Sequence, residues 1–97
     1  MTLPDMKLVR ANARKHRIKG SIQKSDRKNK KLVITRPDGK RIHFGNSAYE
    51  DFTRHRDIDR RKNYCKRSAG IKDKDGKKTR GNPGSANYYS MKLLWDC

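Results

Sequence analysis

A formal net charge of +17 on a chain of 97 residues is the feature that most limits what this sequence can fold into. Lys and Arg number 27 against ten Asp and Glu, while Leu, Ile, Val and Phe together number only 15. Mutual repulsion destabilises the compact state of such a chain, and so few apolar residues leave little to offset the entropy lost on folding. We therefore expect one small domain that completes its stability against an anionic partner.

Positive charge is dense at the start of the chain, where residues 1–31 hold eleven Lys or Arg and two Asp. Ala11 and Ala13 favour a basic helix over residues 7–19, whereas a free segment of this composition is typically a solvated tail. Within an assembly we expect residues 1–30 to form an extended basic arm along an acidic or phosphate-bearing surface. Its candidate electrostatic contacts are Arg10, Arg14, Lys15 and Arg17.

Residues 31–45 have the pattern of a β-hairpin. Pro37, Asp38 and Gly39 predict the turn, because proline presets φ at the first turn position and glycine tolerates positive φ. Apolar and mixed positions alternate on both flanks, which gives one apolar face. Two strands alone are marginally stable, so this face must pack on another element.

Two to three short helices are expected after the hairpin. Ser47 and Glu50 form a capping-box pattern that predicts a helix at about residues 48–54. Asp57 is a suitable N-cap for a second helix that ends near Ala69, before Gly70.

Residues 85–95 hold most of the remaining apolar mass and predict a C-terminal aromatic helix. A helix that is apolar nearly all round is either wedged between two layers or docked on a partner. The predicted fold is thus a small α+β module over residues 31–97, preceded by the basic arm. The candidate partner-binding anchors on the terminal helix are Tyr88, Tyr89, Leu94 and Trp95.

The two cysteines, Cys65 and Cys97, form no CxxC pair. They are most simply reduced thiols in a cytosolic product, and a single bridge between them is the alternative. With His43 and His55 they could supply four zinc ligands, but no two of the four have the close spacing of structural zinc sites. We therefore predict no metal site.

Signs of catalysis are also lacking in the sequence. The seven glycines are scattered and form no phosphate-binding loop, and Glu50-Asp51, the one acidic pair, is better explained by helix capping than by acid/base chemistry. We predict that the protein is not an enzyme and uses no cofactor or small-molecule substrate. We also expect no signal peptide and no membrane span, because no apolar run is long enough.

Nucleic acid is a serious candidate partner, because basic clusters interleaved with aromatic residues can pair with phosphates and stack on bases. The sequence has no signature of a helix-turn-helix, zinc finger, RRM or KH domain. Its charge is spread over both halves, with +9 in residues 1–31 and +8 in residues 32–97. If the chain binds nucleic acid, this distribution predicts non-specific phosphate contact.

Several motifs between residues 31 and 95 occur in a fixed linear order. They are Phe44-Gly45, the run 49–57 (YEDFTRHRD), Arg60-Arg61, Tyr64, the run 67–76 (RSAGIKDKDG) and the run 82–95 (NPGSANYYSMKLLW). In these motifs the chain resembles a family of small basic proteins of nucleocytoplasmic large DNA viruses, including the chlorella viruses and their relatives. Residues 1–30 lie outside the resemblance.

The resemblance implies a structural virion protein, a minor capsid protein that binds between larger capsid subunits on the inner side of the shell. Its partners would be major and minor capsid proteins, and it would be made in the host cytoplasm and located in the capsid. The alternative is a non-specific DNA-binding or DNA-condensing protein packaged in the virion.

Overall fold

The structure, a computed structural model, describes residues 4–82 and 84–97. Three antiparallel strands form one sheet in the order β1-β2-β3, and short helices precede and follow it. The small α+β class that the sequence predicts is confirmed. The elements in chain order are α1 (Met6–Lys15), β1 (Ser21–Lys24), β2 (Lys30–Thr35), β3 (Arg41–Asn46), α2 (Phe52–His55), α3 (Ile58–Ser68), a 3₁₀ turn (Thr79–Gly81), α4 (Ala86–Tyr89) and a π-helical turn (Ser90–Leu94).

The predicted hairpin is β2 and β3. These strands pair in a register that places Thr35 opposite Arg41. Between them the Arg36 amide donates to the Lys40 carbonyl over 2.8 Å, and Gly39 adopts φ +88°. The turn chemistry of the sequence therefore acts as expected.

The N-terminal segment differs from the prediction. Instead of an extended arm over residues 1–30, the described residues 4–30 contain α1 and β1, and residues 1–3 lie outside the described part. Asp5 caps α1 by accepting from the amides of Lys7 and Leu8. The reason for the difference is burial: Val9 is 0% exposed in the core, and β1 forms a third strand along β2.

The predicted helix at residues 48–54 is also shifted. It is the single turn α2, and its N-cap is Asp51, whose side chain accepts from the Thr53 amide. The capping box of Ser47 and Glu50 is therefore not the start of this helix. The helix predicted from Asp57 is confirmed as α3, because Asp57 accepts from the amides of Asp59 and Arg60.

The core lies between one face of the sheet and the N- and C-terminal helical segments. The terminal segment is helical as expected, but it changes from α4 to the π-helical turn at Ser90. The main buried residues are Val9, Leu32, Ile34, Phe44, Tyr89, Leu93, Leu94 and Trp95.

A disulfide joins Cys65 of α3 to Cys97. It resolves the choice between thiols and a bridge that the sequence leaves open. The radius of gyration is 12.5 Å, which equals the value of about 12.5 Å expected for a globular domain of this length. The chain fills its core with its own residues, so the expectation that neighbours must supply its shape is not supported.

Candidate binding surface and cavity

Three of the four predicted anchors lie inside the protein. Tyr89, Leu94 and Trp95 are 3%, 1% and 8% exposed. The Trp95 ring stacks on that of Tyr64 with centroids 4.0 Å apart, and Tyr88 is half-buried beside Tyr89. Tyr89, Leu94 and Trp95 are therefore not exposed anchors, because they are buried in the chain's own core. For Tyr88, partner binding stays a prediction.

The predicted cationic contacts lie on the surface. Arg10, Arg14 and Lys15 on α1 and Arg17 just beyond it are all exposed. The structure thus brings them together along the outer side of a docked helix, since the same helix buries Val9. Lys15 is engaged within the chain, because its ammonium group lies 2.9 Å from Asp96.

Several of the acidic residues take part in hydrogen bonds or ion pairs within the chain. Asp5, Asp51 and Asp57 are the N-caps of α1, α2 and α3. Asp73 accepts from the amides of its own loop, and Asp96 accepts from basic side chains. Six of the ten Asp and Glu residues are exposed, but so are 22 of the 27 Lys and Arg residues, so the surface carries a large excess of positive charge.

Asp96 lies at the junction of α1, α3 and the C-terminus. It pairs with Lys15 over 2.9 Å, with His16 over 2.7 Å and with Arg61 over 3.8 Å. Burial alone would raise the pKa of Asp96, but the hydrogen bonds from Lys15 and His16 and the charge of Arg61 outweigh it, and the pKa is lowered. Asp96 is thus held as a carboxylate that ties three parts of the chain together.

A cavity of about 440 Å³ opens between the end of β3, the segment before α2, the outer face of α3 and the π-helical turn. Tyr64 and Trp95 contribute an aromatic wall, while Arg60 and Arg67 of α3 contribute cationic groups. Tyr49 also lines it and is 67% exposed, an unusual position for a large aromatic side chain. The volume falls in the range of small-molecule and cofactor sites.

A buried ion pair lies beside this cavity. The Lys31 ammonium group is 3.0 Å from Asp51, and the two side chains are 2% and 1% exposed. Asp51 also accepts from the amide and the hydroxyl of Thr53, and the same hydroxyl oxygen accepts from the Asp5 amide over 3.0 Å. The network joins β2, α2 and the start of α1, and fixes this wall of the cavity.

The sequence predicted neither this cavity nor the buried ion pair beside it. The pairing of Lys31 with Asp51 spans 20 residues, and no local pattern encodes it. The one available signal was the acidic pair Glu50-Asp51, which we assigned to capping. Asp51 does cap a helix, but it also neutralises a buried lysine.

His55 lies between aromatic rings, with centroids 6.1 Å from Phe52 and 5.0 Å from Trp95. Its Nδ1 accepts from the Asp57 amide over 2.9 Å, and its buried Nε2 has no hydrogen-bond partner among the described residues. Burial, followed by the charge of Arg60, lowers the pKa of His55. Two of the four metal-ligand candidates, Cys65 and Cys97, are consumed in the disulfide.

Fold and surface define a small, disulfide-linked, basic α+β protein with one face of its sheet covered by helices. Residues 20–68 match the model of a family of unknown function, DUF5754. The match spans half of the chain, and the protein belongs to this family. No curated protein and no solved structure matches it significantly. Within the described residues, no helix has the length and apolar composition that a membrane crossing requires.

Proposed function

We propose that this protein is a non-enzymatic structural protein of a virion, a minor capsid protein that contacts larger capsid subunits on the inner side of the shell. The viral setting rests on the sequence resemblance described above. The observation that carries the proposal is the large excess of exposed cationic side chains over exposed carboxylates.

An uncompensated basic surface favours an anionic partner, because complementary charge steers association and sets orientation. Acidic faces of neighbouring capsid subunits would provide this complement. The partner surface on the protein would include Arg10 and Arg14 of α1 and Arg17 just beyond it, all of which are exposed. Tyr89, Leu94 and Trp95 support the surface from within and make no contact with the partner.

A second candidate function is non-specific binding or condensation of packaged DNA. It is favoured by the spread of exposed Lys and Arg over α1, α3 and the loop before the 3₁₀ turn. Such a distribution suits the phosphate backbone, which offers charge in every direction and carries no sequence information.

Localisation in purified particles separates the two candidates. A capsid protein remains with the shell fraction after the genome is released, whereas a DNA-condensing protein remains with the nucleoprotein core. Recovery in the core alone would overturn the capsid proposal. Binding to duplex DNA in vitro does not decide, because any chain of this charge binds phosphate, with log K falling about 0.9 per neutralised phosphate per decade of salt.

A charge-matched pair of variants tests the surface of α1. Replacing Arg10, Arg14 and Arg17 by Gln should reduce incorporation into particles severalfold at an unchanged melting temperature, since all three are exposed. Replacing Lys72, Lys74 and Lys77 by Gln removes the same charge from an exposed loop and should leave incorporation unchanged. Equal losses in both variants would indicate that total charge, and not the α1 surface, determines incorporation.

A further inference from the structure

The face of α3 that borders the cavity carries four polar or aromatic side chains at helical spacing. Arg60, Asn63, Tyr64 and Arg67 occupy positions i, i+3, i+4 and i+7, which lie on one side of a helix. The two arginines are thus about 10 Å apart along the axis. The cavity therefore has a cationic group towards each end of one wall.

The loop between β3 and α2 supplies a flat aromatic group to the lining. Tyr49 lies in the loop between β3 and α2, lines the cavity and keeps 67% of its surface exposed. An exposed tyrosine beside arginines is the combination on which unpaired bases stack in single-stranded nucleic acid sites. Asn46, Asn63 and Glu50 add amide and carboxylate groups to the lining, and such groups hydrogen-bond to base edges.

We propose that this cavity binds one unstacked nucleotide of a single-stranded nucleic acid. Tyr49 stacks on the base, Arg60 and Arg67 contact the phosphates on either side of it, and the carboxamides of Asn46 and Asn63 contact its edge. The buried pair of Lys31 and Asp51 holds the loop and the strand in place and makes no contact with the ligand.

An acidic peptide is the main competing ligand class for such a cavity. Two arginines would attract it, and Glu50 on the same lining would repel it as it would a phosphate, so charge alone does not distinguish the two ligand classes. A peptide of acidic side chains would, however, leave the exposed face of Tyr49 without a flat partner. A nucleotide uses the aromatic, the amides and the cations together, so the lining favours it.

The protein carries its own reporter for this test. Trp95 is the single tryptophan of the chain and lines the cavity. We expect a short oligothymidylate, titrated into the 97-residue chain, to change the fluorescence of Trp95 in a saturable manner. An oligonucleotide that binds only elsewhere on the basic surface should leave this signal unchanged.

Two variants address the stacking and the phosphate contacts. Tyr49→Ala should weaken oligothymidylate binding by roughly 5- to 150-fold, the range for removal of one stacked base, at an unchanged melting temperature. Replacing Arg60 and Arg67 by Gln should lower the slope of log K against log salt by about 1.4, since each single-strand phosphate contributes about 0.7.

The matched control replaces Lys62 and Lys66 by Gln, which removes the same charge from positions of α3 outside the cavity lining. It should retain the affinity and the fluorescence change. The proposal is overturned if Trp95 does not respond to the oligonucleotide, if Tyr49→Ala binds as tightly as the parent protein, or if the control loses as much as the Arg60 and Arg67 variant. It is equally overturned if a glutamate-rich peptide gives the same response with a similar affinity.

Binding of a nucleotide in this cavity does not depend on where the protein lies in a virion. A failed fluorescence titration would leave the capsid proposal standing, because that proposal is tested by particle fractionation.

Discussion

The ammonium group of Lys31 lies 3.0 Å from the carboxylate of Asp51, and both side chains are almost fully buried. This pair lies on β2 and at the N-cap of α2, so it connects the sheet to the segment that carries the cavity loop. Because each charge is desolvated, each depends on the other for compensation.

Removing either partner of this pair should therefore be strongly destabilising. We expect Lys31→Met or Asp51→Asn to lower the free energy of unfolding by about 3–5 kcal/mol, because the remaining charge is left buried without compensation. Urea unfolding followed by Trp95 fluorescence measures the effect. The double variant should lose less than the sum of the single losses, since neither charge is then left alone.

The exposed pair of Arg36 and Asp38 is the control for this experiment. Its atoms are 3.6 Å apart, and Asp38 keeps 47% of its side chain exposed. Asp38→Asn should cost less than about 1 kcal/mol. Equal losses at Asp38 and Asp51 would show that the buried pair has no special role.

The disulfide between Cys65 and Cys97 closes a loop over a sequence separation of 32 residues. In the chain-entropy description a loop of this length contributes roughly 3–4 kcal/mol by restricting the unfolded state. We expect Cys65→Ala to lower the melting temperature markedly, and we expect a reductant to do the same to the parent protein. The reductant should have no effect on the variant, and detection of two free thiols in the unreduced protein would contradict the bond.

Local signals account for the parts of the fold that the sequence predicted well. Gly39 lies in a turn whose chemistry is contained within a few residues, and Asp57 caps the helix that directly follows it. Both depend on interactions between neighbours in the chain. For this reason the hairpin and α3 were found at close to their true bounds.

Long-range packing accounts for the parts that were missed. The core position of Val9 depends on its contact with residues at the other end of the chain, and its sequence neighbours gave only a basic, solvated appearance. Trp95 was predicted to be a buried anchor. The sequence around it could not show whether its ring packs on a partner or, as in the structure, on the ring of Tyr64. The cavity was missed for the same reason, since its lining comes from separate elements.

Gly45 allows a test of close packing beneath the cavity. It adopts φ +85°, and a Cβ atom placed on it would lie 2.8 Å from Leu94 Cδ1 and 3.2 Å from Lys31 Cβ. Gly45→Ala should therefore suffer from both the strained φ and the clash, and we expect a loss of unfolding free energy above about 2 kcal/mol.

Gly39 is the matched position for this substitution. It has a similar φ of +88°, but nothing lies within 4 Å of a Cβ atom placed there. Gly39→Ala should show the conformational cost alone, about 1–2 kcal/mol. If the two variants unfold at the same urea concentration, the close contact between Gly45 and Leu94 does not contribute to the loss of stability in Gly45→Ala.

Asp96 gives a prediction of pH dependence. Its pKa in the folded protein is lowered from the ordinary value of 3.8, because the hydrogen bonds from Lys15 and His16 and the charge of Arg61 outweigh the effect of burial. A carboxyl group whose pKa falls on folding stabilises the folded state fully above its unfolded pKa. That contribution is lost as the pH falls through the folded pKa.

Asp96→Asn is the substitution that isolates this effect. Residue 96 has φ 53°, and asparagine tolerates the left-handed region as well as aspartate does, so the change adds no backbone strain. At pH 7 the variant should be less stable by roughly 1.5–3 kcal/mol, the contribution of a hydrogen bond to a charged group. The difference between parent and variant should shrink as the pH falls below about 4, because the parent's carboxyl group becomes protonated.

Urea unfolding of both proteins between pH 3 and pH 7 measures this difference, and the other carboxyl groups cancel because both proteins contain them. Asp75→Asn, at an exposed loop position, should show almost no difference from the parent at any pH. A stability gap at Asp96 that stays constant down to pH 3 would mean that the charge of this carboxylate does not hold α1, α3 and the C-terminus together.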